Sequence, residues 1–278
     1  MAIFILHSDT GEPRMESDLP EVEYAPENLT LRTQMSEVVK LFAFGEPEIF
    51  AVEGARLDGL MRQSKRLALL IYLACANGGG PVRREDLVDM FWPEADDHHA
   101  RNALRQSIFF IRKEVGSGVL AGNRTPVVWV DRNLLRSDVG AFSSALRENS
   151  LEAALKLYRG PFLEGFHISD APRFGFWVEE RRAHYRDSAA TAARNLARTA
   201  EEREDLSRAV RWWRRALELT PFDQGALRRV MSLLANSGQR EAALAELEAY
   251  QQRAQAGLGV RPSPETLELA SRISIQAN

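Results

Sequence analysis

The segment over residues 96–116 constrains the fold most, because its apolar side chains recur at the spacing of one helix face. They follow one another at steps of four, four, three and four residues, namely Ala100, Leu104, Ile108, Ile111 and Val115. This spacing predicts an amphipathic helix whose apolar stripe packs against a core. Asp96 and Asp97, at the start of the segment, are explained as N-terminal caps of the same helix.

The opposite face of this predicted helix carries amides and cations and no carboxylate. Its centre is formed by Asn102, Gln106, Phe109 and Lys113, and one shoulder by Arg101, Arg105 and Arg112. Asn and Gln side chains pair with adenine edges, and Arg pairs with guanine or phosphate, so these residue types are the ones that major-groove readout uses. The alternative is an ordinary solvated outer face, and this helix alone leaves that alternative open.

The segments on either side of this helix predict a winged helix-turn-helix. A short helix over residues 84–92 would bury Leu87, Val88 and Phe91, and Pro93 would end it and leave a tight turn before the longer helix. After the longer helix, residues 118–121 and 127–130 flank turn-forming residues 122–126, which predicts a hairpin, the wing. We expect Arg124 at the hairpin tip to meet phosphates or the adjacent minor groove.

A small sheet and a buried helix are predicted upstream of the helix-turn-helix. The runs at residues 39–44 and 48–52 have strand character and are separated by Gly45 and Pro47, which suggests an antiparallel sheet. Ser64 is the predicted N-cap of a helix over residues 65–76. Apolar residues nearly surround that helix, so we expect it to lie at the centre of its domain.

Charge is distributed unevenly along the chain. Residues 1–35 carry 2 basic and 7 acidic side chains, residues 36–140 carry 14 of each, and residues 141–278 carry 20 basic and 18 acidic side chains. The acidic tail is interrupted by Pro and Gly, so we expect residues 7–34 to be disordered and to compete with DNA for the arginines. Met35 stands just before the first patterned segment and is a candidate for the true start.

Length and composition predict two domains in a cytoplasmic protein. The chain has 278 residues, of which 45% are hydrophobic, and it contains neither an apolar run of membrane-spanning length nor a signal peptide. The single cysteine, Cys75, excludes an internal disulfide and is explained as a small buried apolar residue. No phosphate-binding loop occurs, and the adjacent His98 and His99 point to different sides of a helix. We therefore expect no cofactor, no metal site and no enzymatic activity.

The first half of the chain resembles a known family. The sheet, the buried helix, a short helix ending in Phe91-Trp92-Pro93-Glu94-Ala95, and the run Ala100-Arg101-Asn102-Ala103-Leu104-Arg105-Gln106 stand in the order found in the winged-helix domain of SARP-type bacterial transcriptional activators. The resemblance covers about residues 38–140. One departure is Phe110, because many relatives carry a basic or polar residue there, and the resemblance therefore implies that one usual DNA contact is missing.

The second half of the chain predicts an array of helix pairs. Two blocks are offset by 34 residues, so that Ala209 aligns with Ala243 and Trp213 with Leu247, and 34 is the tetratricopeptide period. Small and large side chains follow the order of that repeat at Leu196, Ala197, Ala209, Trp213, Ala216 and Pro221. We expect Trp213 to fill the groove between paired helices, and Trp212 to be partly exposed and available to a partner.

This half resembles the bacterial transcriptional activator domain that follows the winged helix in the same activators. Four segments stand in that domain's order across residues 138–272, at 158–163, 176–182, 214–217 and 258–266. The predicted organisation is an acidic tail (1–35), an α+β winged helix-turn-helix (36–138) and an all-α tetratricopeptide-like domain (139–278). The resemblance implies a DNA-binding transcriptional regulator that recognises double-stranded DNA, with the helical domain for dimerisation or RNA polymerase contact. A scaffold without DNA binding is the alternative, which Phe110 and the neutral charge of residues 36–140 favour.

Overall fold

The computed structural model describes residues 38–275, which belong to one compact unit beginning at Ser36. The predicted disorder of residues 7–34 and the alternative start at Met35 lie outside these residues. A division near residue 138 stays a prediction, because the helices after that point share one hydrophobic core with the elements before it. No helix within residues 38–275 is both long enough and apolar enough to cross a membrane.

The first sheet contains the two strands that were predicted and a third strand that the sequence pattern did not indicate. Strands β1 (Val39–Phe42) and β2 (Glu48–Phe50) are antiparallel, as predicted. Strand β6 (Leu135–Ser137) lies on the other side of β1 and is parallel to it, so the sheet is mixed and larger than the small antiparallel sheet that was predicted. A three-residue strand is too short to show an alternating pattern in sequence, and its pairing depends on the chain returning from the wing.

The helix-turn-helix forms around a buried central helix. Helix α1 (Asp58–Met61) is followed by α2 (Ser64–Cys75), whose middle residues are almost wholly buried. A 3-10 turn (Ala76–Gly79) then leads to strand β3 (Val82–Arg83), helix α3 (Arg84–Phe91) and helix α4 (Asp97–Val115). The prediction of Ser64 as an N-cap is wrong, because Ser64 is the first residue of α2, and Gln63 before it caps no backbone N–H with its side chain.

The wing is a hairpin with a third strand along its other edge. Strands β4 (Leu120–Ala121) and β5 (Val127–Val130) pair antiparallel, as predicted, and β3 pairs with β5 to give the order β3-β5-β4. Gly122 turns the chain at a φ of 87°. A Cβ atom there would lie 2.2 Å from the carbonyl oxygen of Val127, so the tight hairpin requires glycine at this position.

Helices form the rest of the described chain. They are α5 (Asp138–Arg147), α6 (Leu151–Leu157), α7 (Pro172–Glu202), α8 (Leu206–Leu219), α9 (Gln224–Asn236), α10 (Arg240–Leu258) and α11 (Pro264–Ile275). From α7 to α10 each helix packs on the next one in sequence, which confirms the predicted array of helix pairs. Trp213 is 7% exposed on α8, and its Nε1–H donates to Glu201 of α7, so it fills the groove as expected.

The segment between α6 and α7 joins the helical half to the first sheet. Phe162 forms an isolated antiparallel bridge with Phe44, and the N–H of Leu163 donates to the carbonyl oxygen of Ala43 at 2.8 Å. The ring of Phe44 also contacts Tyr158 and Tyr185, with centroids 5.0 and 5.4 Å apart. These contacts explain why the compact unit has one core, because aromatic side chains of the helical half pack against Phe44 at the end of the first sheet.

Candidate nucleic-acid interface

Helix α4 presents its polar face to solvent. All five residues of the predicted apolar stripe are buried, from Ala100 to Val115. The carboxylate of Asp96 accepts a hydrogen bond from the backbone N–H of His99 at 3.0 Å, which confirms Asp96 as the N-cap. On the opposite face Gln106 and Lys113 are exposed, and the side chain of Phe109 is 72% exposed. The ring of Phe109 is therefore accessible to a binding partner on the outer face of α4.

Arg112 is the predicted site residue whose surroundings differ most from expectation. We expected it to face phosphate, but the structure places it half-buried between α4 and the wing. Its Nε and Nη2 groups donate to the carbonyl oxygen of Leu120 at 3.0 and 2.8 Å. Because the carbonyl group at the start of β4 attracts the guanidinium, Arg112 holds the wing against α4 rather than standing free on the outer face.

Arg84 is a second arginine that fastens the wing, and it was not among the site residues predicted from sequence. From the first turn of α3, its Nε donates to the carbonyl oxygen of Thr125 at 2.8 Å and its Nη2 to that of Gly122 at 2.9 Å. Burial, then the nearby guanidinium groups of Arg112 and Arg105, lower the pKa of Arg84. The available signal was its position, because a cation at a helix N-terminus opposes the helix dipole and needs another reason to be there.

Helix α4, the wing tip and helix α3 enclose a groove of about 550 Å³. The predicted site residues that line it are Arg101, Arg105, Phe109, Arg112 and Arg124. The lining also includes Arg84 and Asn123, and the carboxylates of Glu85, Asp89 and Asp97. The structure thus brings five predicted site residues from two separate elements to one concave surface, in which arginines outnumber the acids.

The remaining predicted site residues lie on α4 outside that groove. Asn102, Gln106 and Lys113 do not line it. Asn102 contacts its own helix: its Oδ1 accepts from Nη1 of Arg105 at 3.0 Å, and its Nδ2 lies 3.4 Å from the ring nitrogens of His98. Arg101 likewise pairs with Asp97 at 3.2 Å. Such contacts between exposed side chains contribute little free energy, so these groups can exchange them for other partners.

At the wing tip, Arg124 has a backbone conformation that is unfavourable in free energy for arginine. Its φ is 58°, in the left-handed region that Gly, Asn and Asp favour. A non-glycine residue there costs roughly 1 kcal/mol or more relative to the usual backbone regions. The Arg124 side chain is exposed and lines the groove, so nothing in its packing accounts for an arginine at this position.

Phe110, the departure from the related activators, belongs to the packing of the domain. Its side chain is half-buried against the core. The guanidinium carbon of Arg66, on helix α2, lies 4.2 Å from the centre of its ring, which is a cation–π contact. A cation from α2 therefore stands beside the position where the resemblance to SARP-type activators implies a polar or basic residue.

Comparisons with known proteins agree with this architecture. The family described as the bacterial transcriptional activator domain matches residues 131–274. Among solved structures, the chain is similar to Mycobacterium tuberculosis EmbR in complex with a low-affinity phosphopeptide, with a TM-score of 0.60 and 20% identity over 86% of this chain. The chain spans 65% of the length of that structure. No curated protein sequence matches it.

The structural likeness extends beyond the helical half, because 86% of the chain is more than the matched family covers. It supports the fold predicted from sequence, a winged region followed by a helical domain. Together with the family match, it confirms the resemblance to SARP-type activators. Because the matched residues 131–274 make up more than half of its 278 residues, the chain belongs to the bacterial transcriptional activator domain family.

Proposed function

We propose that this member of a family of transcriptional activators binds double-stranded DNA through helix α4 and the wing. In this proposal α4 lies in the major groove, with Asn102, Gln106 and Phe109 toward base edges. The exposed arginines Arg101, Arg105 and Arg124 meet phosphates. Arg112 instead keeps the wing in place, with at most its free Nη1 group left for DNA.

The observation that carries the proposal is the groove between α4 and the wing tip. Arg101 and Arg105 on the helix and Arg124 on the hairpin are separated in sequence, yet they line one surface together with the exposed Phe109 ring. A positively charged concave surface beside an exposed helix suits a duplex backbone, and an apolar ring on the helix suits a thymine methyl group. The left-handed backbone at Arg124 adds support, because strain retained at a surface residue is typical of functional positions.

The helical domain is proposed to contact RNA polymerase or a second copy of the chain. It exposes Phe176 on α7, whose side chain is 77% open to solvent, while the neighbouring Trp177 is packed against Phe162 and Phe174. Stacked helix pairs form extended surfaces that such domains use for binding proteins. The proposed role of the whole protein is therefore regulation of transcription, rather than catalysis.

Two single substitutions on α4 test this geometry, because loss of a base contact and loss of a phosphate contact change the affinity for target and random DNA differently. On a target duplex identified by footprinting, Gln106→Ala should cost about 1 to 3 kcal/mol of binding free energy and should hardly change binding to random DNA. Arg105→Ala should weaken binding to both duplexes about equally and reduce the salt slope by about one unit. Fluorescence anisotropy at several salt concentrations measures both effects.

Leu104→Ala serves as the control for a disturbed fold, because this side chain is buried on the core face of α4, next in sequence to Arg105. It should lower the melting temperature, whereas the two surface variants should not. If Gln106→Ala weakens binding to random DNA as much as to the target, α4 does not read bases and the proposed orientation is wrong.

A scaffold that does not bind DNA is the second candidate, and a specific observation favours it. The groove also contains the carboxylates of Glu85, Asp89 and Asp97, and residues 36–140 carry equal numbers of basic and acidic side chains. Carboxylates repel a phosphate backbone at short range. The scaffold candidate predicts that removing the exposed arginines leaves duplex affinity unchanged.

A further inference from the structure

A second groove lies where the winged helix meets the helical half, away from the α4 surface. It has a volume of about 580 Å³, which falls in the usual range of roughly 300 to 1,000 Å³ for small-molecule sites. Its walls come from the end of α2, the β5–β6 turn, helix α5 and Tyr185 of α7. Strand β5 runs from Val127, beside the wing tip, to Val130, which lines this groove, so the groove lies at the opposite end of the strand.

The charged side chains of this groove all have the same sign. Arg132, Arg136 and Arg147 line it, and no carboxylate does. Asp138, two residues after Arg136, is buried and does not line the groove, because its carboxylate accepts from the backbone N–H groups of Ala43 and Phe44. Within residues 38–275, no ion pair joins any of the three arginines to an acid, whereas Arg101 in the groove between α4 and the wing pairs with Asp97.

The backbone leaves space for one of these arginines, and a hydroxyl group contacts another. Gly79 has a φ of 77°, and a Cβ atom at that position would lie 2.9 Å from Nε of Arg132. The guanidinium group of Arg132 therefore rests across the 3-10 turn in space that any other residue would fill. Nη2 of Arg147 is likewise held, because it donates to the hydroxyl oxygen of Ser144 at 2.9 Å. All three arginines are exposed, so their guanidinium groups are accessible to an anion that enters the groove.

The floor of the groove is apolar. It is formed by the buried side chains of Cys75, Val130, Leu135, Val139 and Tyr185. The N-terminus of α5 contributes little, because the hydroxyl oxygen of Ser137 already accepts from the N–H of Gly140 at 3.0 Å. The site thus offers an apolar surface beneath three guanidinium groups, and guanidinium groups prefer the oxygen atoms of carboxylates, phosphates and sulfonates.

From this arrangement we infer that the groove binds a small organic anion, with an apolar or aromatic body on the floor and an acidic oxygen-bearing group at Arg132, Arg136 and Arg147. Because its walls belong to both halves of the compact unit, an occupant would contact the strand that leads from the wing and the helices that follow it. An effect of the ligand on DNA binding would rest on the proposed function, whereas binding itself does not.

Titration with anilinonaphthalene sulfonate, a fluorescent aromatic anion, tests the inference on the full chain. We expect saturable binding of one probe per chain. The triple variant Arg132→Gln, Arg136→Gln, Arg147→Gln should bind about tenfold more weakly or worse, because each lost charge-assisted contact weakens binding substantially. Ala141→Trp, which places a large side chain in the groove and leaves the contact of Arg147 with Ser144 in place, should also abolish binding. The matched control, Arg240→Gln, Arg253→Gln, Arg272→Gln, changes exposed arginines elsewhere and should bind normally.

Competition defines the ligand class. Phenyl phosphate or benzoate should displace the probe, and neutral benzyl alcohol should displace it much less. The triple variant should keep the melting temperature and the duplex DNA affinity of the parent chain. The inference is overturned if a folded triple variant binds the probe as tightly as the parent, or if benzyl alcohol competes as well as the anions. It is also overturned if the triple variant loses DNA affinity in proportion to probe affinity, because these arginines would then contact DNA phosphates.

Discussion

Replacement of Trp213 by alanine should destabilise the helical domain by about 3 to 5 kcal/mol. The side chain is 7% exposed, so it buries nearly all of the roughly 200 Å² that an indole offers. At about 25 cal/mol per Å² this burial is worth up to about 5 kcal/mol. Its Nε1–H also donates to the carboxylate of Glu201 at 2.5 Å, and a hydrogen bond to a charged group contributes about 1.5 to 3 kcal/mol.

The adjacent Trp212 supplies the control. Its side chain is only partly buried, and its buried Nε1–H has no hydrogen-bond partner among the residues that the structure describes. Trp212→Ala should therefore cost clearly less than Trp213→Ala. Trp212→Phe removes an unsatisfied N–H and should hardly change the free energy of unfolding. Trp213→Phe removes the hydrogen bond to Glu201, a carboxylate that also accepts from Arg229, and should therefore destabilise the domain.

Urea denaturation followed by circular dichroism measures all four free energies of unfolding. The reasoning predicts a larger loss at Trp213 than at Trp212 for both substitutions. Equal losses at the two positions would show that the rotation of α8 assigned here is wrong. Since a unit of this size can unfold through intermediates, the comparison uses midpoints together with slopes.

Two further predictions concern the candidate interface. Arg112→Ala should loosen the wing, because the carbonyl oxygen of Leu120 loses both of its side-chain donors. We expect faster amide exchange in β4 and unchanged exchange in α4. Unchanged exchange in β4 would contradict the role of Arg112. Hydrogen bonds from the backbone N–H and the side chain of His99 lower the pKa of Asp96, so its contribution to stability is present above the ordinary aspartate pKa and is lost as the pH falls through the lowered value. Protection factors of the amides at the start of α4, which correct exchange rates for their intrinsic pH dependence, should therefore fall below about pH 4 in the parent chain. In Asp96→Ala they should already be low at neutral pH and should not fall further. A parent chain whose protection factors there do not depend on pH would refute the capping role.

The elements that could be predicted from sequence are those in which a periodic apolar pattern extends over many residues, or in which turn-forming residues mark the ends. Helix α4 was recognisable because its apolar stripe runs through five turns, and the hairpin was recognisable because Gly122 and Pro126 bracket its tip. Strands β3 and β6 were missed, since two or three residues cannot display an alternating pattern. Their formation depends on pairing with strands that are distant in sequence.

The candidate site was predictable in composition and less so in geometry. Helical spacing correctly placed Gln106 and Phe109 on the outer face, because that face follows from the position of the buried stripe. It could not show that Arg112, on the same shoulder as Arg105, reaches the carbonyl oxygen of Leu120. Helical spacing also could not predict the groove lined by Arg132, Arg136 and Arg147, because that groove forms only where the two halves of the chain pack together.

The central claim is that this chain binds duplex DNA through α4 and the wing tip. Fluorescence anisotropy of a labelled duplex should be measured across a range of salt concentrations for the full chain and for the variant Arg101→Ala, Arg105→Ala, Arg124→Ala. The account predicts weaker binding by the variant at low salt and a salt slope reduced by about three units, one for each lost phosphate contact. If the parent chain binds duplex DNA no more tightly than this variant at low salt, the DNA-binding account is contradicted and the scaffold remains.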